Sequence, residues 1–232
     1  NKLNKTEKIG KLVEKDNYID IHIDNILKLN LVDIKSIKKK NYKIVVDAVN
    51  STGGIAVPKL LKKLGVDVVK LYCDPTGEFP HNPEPLKENI YDLSNLVIKE
   101  GADLGIVVDP DVDRLAFVCE NGDVFGEEYT LVACSDYVLS LQPGSTVSNL
   151  SSTRALKDIS NKYNCEYNSS AVGEVNVVEM MKKTNAIIGG EGNGGIILPQ
   201  LHYGRDALLG IALFLSHLSN SGLKCSDLRK IY

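Results

Sequence analysis

The sequence predicts an α/β protein made of two similar three-layer α/β/α domains, each with a mixed, mostly parallel sheet. Three observations support this fold class. Short apolar runs alternate with segments of helical periodicity, glycine and proline turns separate them, and the second half of the chain repeats the order of the first. Alternating strands and helices favour parallel pairing, because a parallel connection needs room for a crossover helix.

The first half contains four predicted strands and three predicted helices. Apolar residues near helical spacing at 23–31 predict one helix within the polar N-terminal segment. The strands are predicted at 42–47, 66–72, 104–109 and 114–120, and the other helices at 55–64 and 90–100. The lysine run at 38–40 is interpreted as a solvated loop, and the Asn-Gly pair at 121–122 as a hairpin turn.

The second half follows the same plan. Strands are predicted at 146–150, 166–169, 186–189 and 196–198, and helices at 127–141, 153–163, 174–183 and 206–219. A strand, a polar turn, a helix and a short strand recur in both halves, which indicates two related domains. We expect a linker at 1–17, a first domain at 18–123 and a second domain at 124–232.

Composition and charge argue against several classes of protein. The net charge of −3 does not favour general nucleic-acid binding, which needs a basic face. The 5 cysteines are widely spaced without a C-x-x-C pair, which is typical of buried thiols in a reducing compartment. No apolar segment approaches the roughly 20 residues that span a bilayer. We therefore expect a cytoplasmic protein with no nucleic-acid and no membrane partner.

The most informative stretch is GIVVDPDVDRL at 105–115, where three aspartates alternate directly after an apolar strand. In extended backbone alternate side chains point the same way, so Asp109, Asp111 and Asp113 would share one side. Three close carboxylates need a cation, and oxygen ligands on a short loop suit Mg²⁺. Arg114, the next residue, is placed to hold a phosphate oxygen. Open α/β sheets bind ligands beyond the carboxyl ends of their strands, where this loop falls.

A haloacid-dehalogenase-like phosphatase is the alternative enzyme class. In such an enzyme Asp109 would be the nucleophile and Asp111 would act as the acid. It would also need a downstream lysine and a late acidic pair at a strand end, and the sequence offers no convincing pair of that kind. This class therefore stays second.

A second informative stretch is AIIGGEGNGGIIL at 186–198, where a strand enters a glycine-rich loop. Glycines let the backbone approach a ligand closely. Glu191 and Asn193 lie two residues apart and could bind neighbouring sugar hydroxyls, because the carboxylate accepts while the amide both accepts and donates. The structural alternative is a plain glycine-rich hairpin.

Polar residues at three helix starts have structural interpretations. Ser151, Ser152 and Thr153 are interpreted as N-capping residues, and Asp206 as the N-cap of the apolar helix that follows it. Glu174 is interpreted as a first-turn acid that complements the helix dipole. The histidines share no metal spacing in the sequence, so no role is assigned to them.

Together, the motifs DPDVDR, GGEGNGG, GRDA and FPHNPEP resemble the α-D-phosphohexomutases, from about Tyr42 onward. The resemblance implies domains two and three of a four-domain enzyme, without the serine loop that carries phosphate in the first domain and without the phosphate-binding segment of the fourth. It assigns the metal loop to the three aspartates and the sugar loop to Glu191 and Asn193.

The activity implied by this resemblance is the interconversion of hexose 6-phosphate and hexose 1-phosphate through a bisphosphorylated sugar, with Mg²⁺ as cofactor. Arg114 is then the catalytic residue of this chain, and substrate binding is assigned to Glu191, Asn193, Gly190 and Arg205. The expected partners are the hexose phosphate and the N- and C-terminal domains of the same chain, without which the fragment should be inactive. GEGNGG with Val-Gly-Glu is most similar to phosphoglucosamine mutases, ahead of phosphomannomutase/phosphoglucomutase. The non-catalytic alternative is a sugar-phosphate-binding module.

Overall fold

A computed structural model of the chain describes residues 10–232, so the first nine residues of the expected linker at 1–17 lie outside the described residues. It contains two four-stranded sheets with the same topology, ordered β2-β1-β3-β4 and β6-β5-β7-β8. In each sheet the first three strands are parallel and the fourth is antiparallel to its neighbour. The predicted fold class, with mixed and mostly parallel sheets, is therefore confirmed.

Between residues 43 and 221 the strands and helices alternate as the sequence predicts, with boundaries shifted by a few residues. The first helix begins five residues before the predicted segment at 23–31, and the helices at 34–40 and 225–229 were not predicted. The strands are β1 (Lys43–Asp47), β2 (Asp67–Leu71), β3 (Leu104–Val108), β4 (Leu115–Cys119), β5 (Thr146–Asn149), β6 (Tyr167–Ser170), β7 (Ile188–Glu191) and β8 (Gly195–Ile197). The helices are α1 (Tyr18–Leu27), α2 (Ile34–Lys40), α3 (Gly53–Lys63), α4 (Tyr91–Glu100), α5 (Glu127–Leu141), α6 (Ala155–Lys162), α7 (Glu174–Thr184), α8 (Ala207–Ser221) and α9 (Cys225–Arg229). A short 3₁₀ helix spans Lys87–Asn89.

The two faces of the first sheet bury different residues, because side chains alternate along a strand. Ile44 and Val46 point into the large core that the two halves share. Val45 and Val107 point the other way, into a smaller core under α4. The second sheet has a matching small core under α7, which contains Val147.

Helices α5 and α8 lie between the two sheets. Helix α5 contacts β4 and β7, and α8 contacts β4 and β8. Because protein surrounds it, α8 is buried at every residue from 207 to 216. Phe117 of β4 stacks on Phe214 of α8 with ring centroids 3.8 Å apart, and Phe125 meets Phe214 edge-on at 5.1 Å. The two halves are thus joined by an apolar interface.

Two local predictions were wrong. The lysine run at 38–40 is the last turn of α2, a helix that forms because Ile37 is buried and the Asp33 carboxylate accepts from Ser36 N–H. Helix α6 has Arg154 at its N-cap without a side-chain capping bond. The hydroxyls of Ser151 and Ser152 donate instead to Asn149 Oδ1, at 3.1 and 2.6 Å. Thr153 Oγ1 does accept from Ala155 N–H at 3.4 Å, so the capping prediction was wrong for the two serines only.

The prediction for Asp206 is confirmed, since its carboxylate accepts from Leu209 N–H at the start of α8. None of the helices within residues 10–232 combines the length and apolar character needed to cross a membrane.

Candidate metal and sugar site

The two motif loops occupy equivalent places in the two sheets. The acidic loop, residues 109–114, joins β3 to the antiparallel β4, and the glycine loop, residues 191–195, runs from the last residue of β7 to the first residue of the antiparallel β8. Both therefore leave the carboxyl end of the third strand in their sheet, where open α/β sheets bind ligands.

The acidic loop brings its three carboxylates together. One oxygen from each of Asp109, Asp111 and Asp113 lies within 4.8 Å of the other two. The sequence argument expected extended backbone, and that reason was wrong. The loop is a turn in which Val112 N–H donates to Asp109 O at 3.2 Å and Val112 has a φ of +64°. A β-branched residue is rare in that conformation, so the turn is strained.

The electrostatics of the loop favour a cation. Burial raises the pKa of Asp109 to about 7, with the Asp113 and Asp111 charges adding to the rise and the Arg114 N–H opposing it. Burial also raises the pKa of Asp113, although Arg205 opposes this. Asp113 Oδ1 is buried without a hydrogen-bond partner. A hard cation with oxygen ligands, such as Mg²⁺, fits this donor set.

Neighbouring segments hold the acidic loop in place. The carbonyl of Pro110 accepts from the hydroxyls of Ser51 and Thr52, at 2.5 and 3.0 Å. Asp109 Oδ1 accepts from the backbone N–H groups of Asp113 and Arg114, both at 3.0 Å. The conformation of the acidic loop is therefore held by hydrogen bonds within the polypeptide itself.

The FPHNPEP segment at 79–85 packs beside the acidic loop. His81 Nε2 lies 2.9 Å from Asp47 Oδ2, and His81 Nδ1 lies 2.8 Å from Asn82 O. Both ring nitrogens face acceptors, so the imidazole donates from both and carries a positive charge. The hydrogen bond to Asp47 accordingly raises the pKa of His81. The sequence analysis missed this pair because His81 lies in a loop 34 residues along the chain from Asp47, the last residue of β1.

Arg114 lies over the acidic loop. Its Nε is 3.7 Å from Asp109 Oδ2 and 3.9 Å from Asp113 Oδ1, and its Nη1 is 3.3 Å from Glu84 Oε1. The side chain remains 31% exposed, so its guanidinium can be reached from the solvent.

Glu191 of the glycine loop is buried, and both of its carboxylate oxygens accept hydrogen bonds. Its Oε1 accepts from Asn149 Nδ2 at 2.7 Å and from Gly173 N–H at 3.1 Å, while Oε2 accepts from Arg205 Nη1 at 2.9 Å. The sequence analysis missed Asn149 and Gly173. The only signal for Asn149 is its position as the polar last residue of β5.

The glycines of GGEGNGG make close contacts with the protein's own backbone. A Cβ on Gly190 would lie 1.9 Å from Gly195 O, and one on Gly194 would lie 2.1 Å from Leu115 O. The segment is thus a tight hairpin whose tip packs on the first residue of β4, directly after the acidic loop. Asn193 is partly exposed at this tip, and its Oδ1 accepts from Gly195 N–H at 3.3 Å.

Arg205 connects the two loops. Its guanidinium binds Asp113 of the acidic loop and Glu191 of the glycine loop. Glu174 accepts from Arg205 N–H at 3.1 Å and lies 3.4 Å from its Nε. The structure thereby brings five sequence-predicted residues together: Asp113 and Glu191 bind Arg205, and Asp109, Asp111 and Arg114 lie around Asp113.

Two histidines meet behind the acidic loop. His22 Nε2 and His202 Nε2 both approach Asp206 Oδ2, at 2.8 and 3.0 Å. Gly204 N–H donates to His202 Nδ1, so His202 Nε2 carries the proton and donates to Asp206. That nitrogen has no lone pair to offer a metal, and the cluster is a hydrogen-bonded link between α1 and α8.

Comparison with known sequences matches both halves of the chain to one family. Residues 20–122 match phosphoglucomutase/phosphomannomutase, alpha/beta/alpha domain II, and residues 126–232 match alpha/beta/alpha domain III. The chain therefore belongs to the phosphoglucomutase/phosphomannomutase family of α-D-phosphohexomutases. Within that family it contains the second and third domains.

Individual relatives agree with this assignment. The chain is 35% identical over 226 residues to the phosphoglucomutase/phosphomannomutase of Thermococcus kodakarensis, covering 97% of this chain and 49% of that protein. It is 30% identical over 217 residues to the phosphoglucosamine/phosphogalactosamine mutase of Sulfurisphaera tokodaii, covering 92% and 47%. The chain spans about half the length of the curated relatives it matches.

Solved structures show the same fold. A phosphoglucomutase/phosphomannomutase family protein from Burkholderia thailandensis superposes with a TM-score of 0.82 at 27% identity, covering 92% of this chain and 46% of that one. A putative phosphomannomutase from Thermus thermophilus has a TM-score of 0.84 at 22% identity, with coverage of 92% and 49%.

Proposed function

We propose that this chain is the metal- and sugar-binding half of a phosphohexomutase, which interconverts hexose 6-phosphate and hexose 1-phosphate through a bisphosphorylated sugar. The observation that carries the proposal is the meeting of the two loops, since Asp113 and Glu191 bind the same arginine, Arg205. A phosphoryl group at the acidic loop would then lie beside hydroxyls of the sugar to which it is transferred.

Asp109, Asp111 and Asp113 would hold Mg²⁺ through the three oxygens that already converge. The ion supplies positive charge that stabilises a transferring phosphoryl group. Arg114 would act on the same group as the catalytic residue of this chain, because its partly exposed guanidinium lies directly over the loop.

Glu191, Asn193, Gly190 and Arg205 would form the sugar side of the site. Glu191 would accept from one hydroxyl, and the partly exposed Asn193 would exchange a hydrogen bond with a neighbouring one. Gly190 would contribute by allowing the tight hairpin, and Arg205 by fixing the direction of the Glu191 carboxylate.

The remaining parts of the activity are assigned to other domains of a longer chain. A phosphate-carrying serine would come from an N-terminal domain, and the grip on the second phosphate from a C-terminal domain. Domain limits of 18–123 and 124–232, a linker at 1–17 and a cytoplasmic location remain part of this proposal. Phosphoglucosamine mutase is the favoured activity, because GEGNGG and Val-Gly-Glu are most similar to that branch.

The test compares this chain with a protein that also carries the flanking domains. Each is assayed with Mg²⁺ and the 6-phosphates of glucosamine, mannose and glucose, and formation of the 1-phosphate is measured. We expect Mg²⁺ binding without turnover by this chain, and turnover by the longer protein. A longer protein that turns over none of the three sugars would contradict the mutase. Phosphate release with a trapped phospho-Asp109 would support the phosphatase instead.

A further inference from the structure

Arg205 is a largely buried cation among three carboxylates from three different segments. Its side chain is 13% exposed and contacts Asp113 of the acidic loop, Glu191 of the glycine loop and Glu174 of α7. A guanidinium can bind several carboxylates at once because its donors point in fixed, separate directions. Arg205 therefore contacts the acidic loop and the glycine loop at the same time.

The absence of a side chain at Gly195 in the glycine loop leaves room for the Arg205 side chain. A Cβ on Gly195 would lie 2.3 Å from Arg205 Cδ, so no larger residue fits at position 195 while Arg205 keeps its place. Glycine at this position thus leaves room for the arginine and its three ion pairs.

The Asp113 carboxylate divides its oxygens between two kinds of partner. Oδ2 binds Arg205, whereas Oδ1 is buried with no hydrogen-bond partner and lies 3.9 Å from Arg114 Nε. A cation in the acidic loop would use the free oxygen, and Arg205 would then face it across one carboxylate. Like charges this close repel, and the partly buried position strengthens the effect.

We propose that Arg205 is a positioning residue that links cation binding in the acidic loop to the conformation of the glycine loop. It weakens cation binding by charge repulsion across the Asp113 carboxylate, and a bound cation in turn shifts the guanidinium toward Glu191. This inference rests on the proposed function only in taking the acidic loop as a Mg²⁺ site.

The first test measures Mg²⁺ affinity by calorimetry on the 232-residue chain. Arg205→Gln should bind Mg²⁺ about tenfold more tightly than the wild type, because a nearby positive charge is lost. Arg205→Lys keeps the charge and should stay near the wild-type affinity. Lys99→Gln, an exposed residue near the end of α4, removes a charge far from the loop and should change nothing.

The second test follows the backbone amides of Gly192 and Gly194 by NMR as Mg²⁺ is added. Both should shift in the wild type. Neither should shift in Arg205→Gln, nor in Arg205→Lys, since a single ammonium cannot hold Asp113 and Glu191 together.

The outcomes separate this inference from the function on which it rests. A wild-type chain that binds no Mg²⁺ overturns the proposed function. Normal Mg²⁺ binding with an unchanged or weaker affinity in Arg205→Gln overturns the role of Arg205 and leaves the function standing. Chemical shift changes of the glycine loop that persist in Arg205→Gln also overturn the role of Arg205. The effect of Mg²⁺ binding would then reach the glycine loop through the Gly194–Leu115 contact instead.

Discussion

Asp109 is a buried carboxyl group beside two other carboxylates. In this setting a proton and a metal ion compete for its carboxylate. Its pKa is raised to about 7, first by burial and then by Asp113 and Asp111. A cation must displace the proton wherever Asp109 is protonated, so affinity depends on pH.

We expect Mg²⁺ affinity to rise about tenfold per pH unit below pH 7 and to level off above it, because one proton is displaced per ion. Calorimetry of the chain in buffers across this range measures the slope. Asp109→Asn should abolish binding at every pH. A flat profile in the wild type would show that Asp109 is already ionised without the metal.

At Gly194 the glycine loop touches Leu115, the first residue of β4 directly after the acidic loop. Gly194 has a φ of +89°, and a Cβ there would lie 2.1 Å from Leu115 O. Gly77 has a similar φ of +77° but nothing within 4 Å of its Cβ position. Alanine substitutions at Gly77 and Gly194 therefore separate the free-energy cost of backbone strain from the cost of the steric clash.

We predict that Gly77→Ala lowers the free energy of unfolding by about 1 kcal/mol through strain alone. Gly194→Ala should lower it by more than about 3 kcal/mol, since the hairpin must also move off β4. Chemical denaturation of both variants tests this. Equal losses would mean that the hairpin tip relaxes without depending on its contact with Leu115.

At the scale of elements, α8 is the central support of the molecule. Its residues pack on α5, β4 and β8, and the Phe214 ring stacks on Phe117 of the first sheet. Because the helix lies between two sheets, most of its residues are buried, and its sequence therefore shows no continuous polar face.

Phe214→Ala should lower the free energy of unfolding by about 3–5 kcal/mol, as it removes a ring from a core with no room to collapse. Phe79→Ala provides the control, because Phe79 is 45% exposed and its loss should cost within about 0.5 kcal/mol. Thermal unfolding of both variants measures the difference. Two separate transitions in Phe214→Ala would indicate that the halves fold independently.

At the scale of the whole molecule, α1 is tied to the start of α8 by His22 and Asp206. The hydrogen bond to Asp206 raises the pKa of His22. Burial alone would raise the pKa of Asp206, but hydrogen bonds from His202, His22 and Leu209 N–H outweigh it and hold that pKa well below its ordinary value. The pair therefore stabilises the fold more when the histidine is charged than when it is neutral.

The sign of the pH dependence follows from these directions. The His22 contribution is fully present below about pH 6.5, its ordinary pKa, and is lost as the pH rises through the raised value. The Asp206 contribution is present above about pH 3.9 and is lost as the pH falls toward its depressed value.

His22→Gln should accordingly destabilise the chain more at pH 5.5 than at pH 8, by less than about 1 kcal/mol because His22 is partly exposed to solvent. Urea denaturation of wild type and variant at both pH values gives the comparison. The same loss at both values would mean that the histidine acts only as a neutral donor.

Much of this architecture can be predicted from local patterns. Apolar β-branched runs and turn residues identify the strands, and α5 was predicted with the boundaries it has, Glu127–Leu141. Short polar helices could not be predicted in this way. Helix α2 depends on one buried side chain, Ile37, and one capping carboxylate, Asp33, so its lysines suggest a loop.

The sequence alone determined the family, the order of the strands and the residue types that form the two loops, because each of these depends on residues that are close in the chain. The convergence of the three aspartates was predicted correctly from a wrong backbone geometry, since carboxylates two residues apart can meet in a turn as well as in a strand. Only the tertiary structure decided that Arg205 binds both loops, that Asn149 holds Glu191 and that His81 pairs with Asp47. These contacts join residues far apart in the chain, and their distances are fixed by how strands and helices pack rather than by any local pattern.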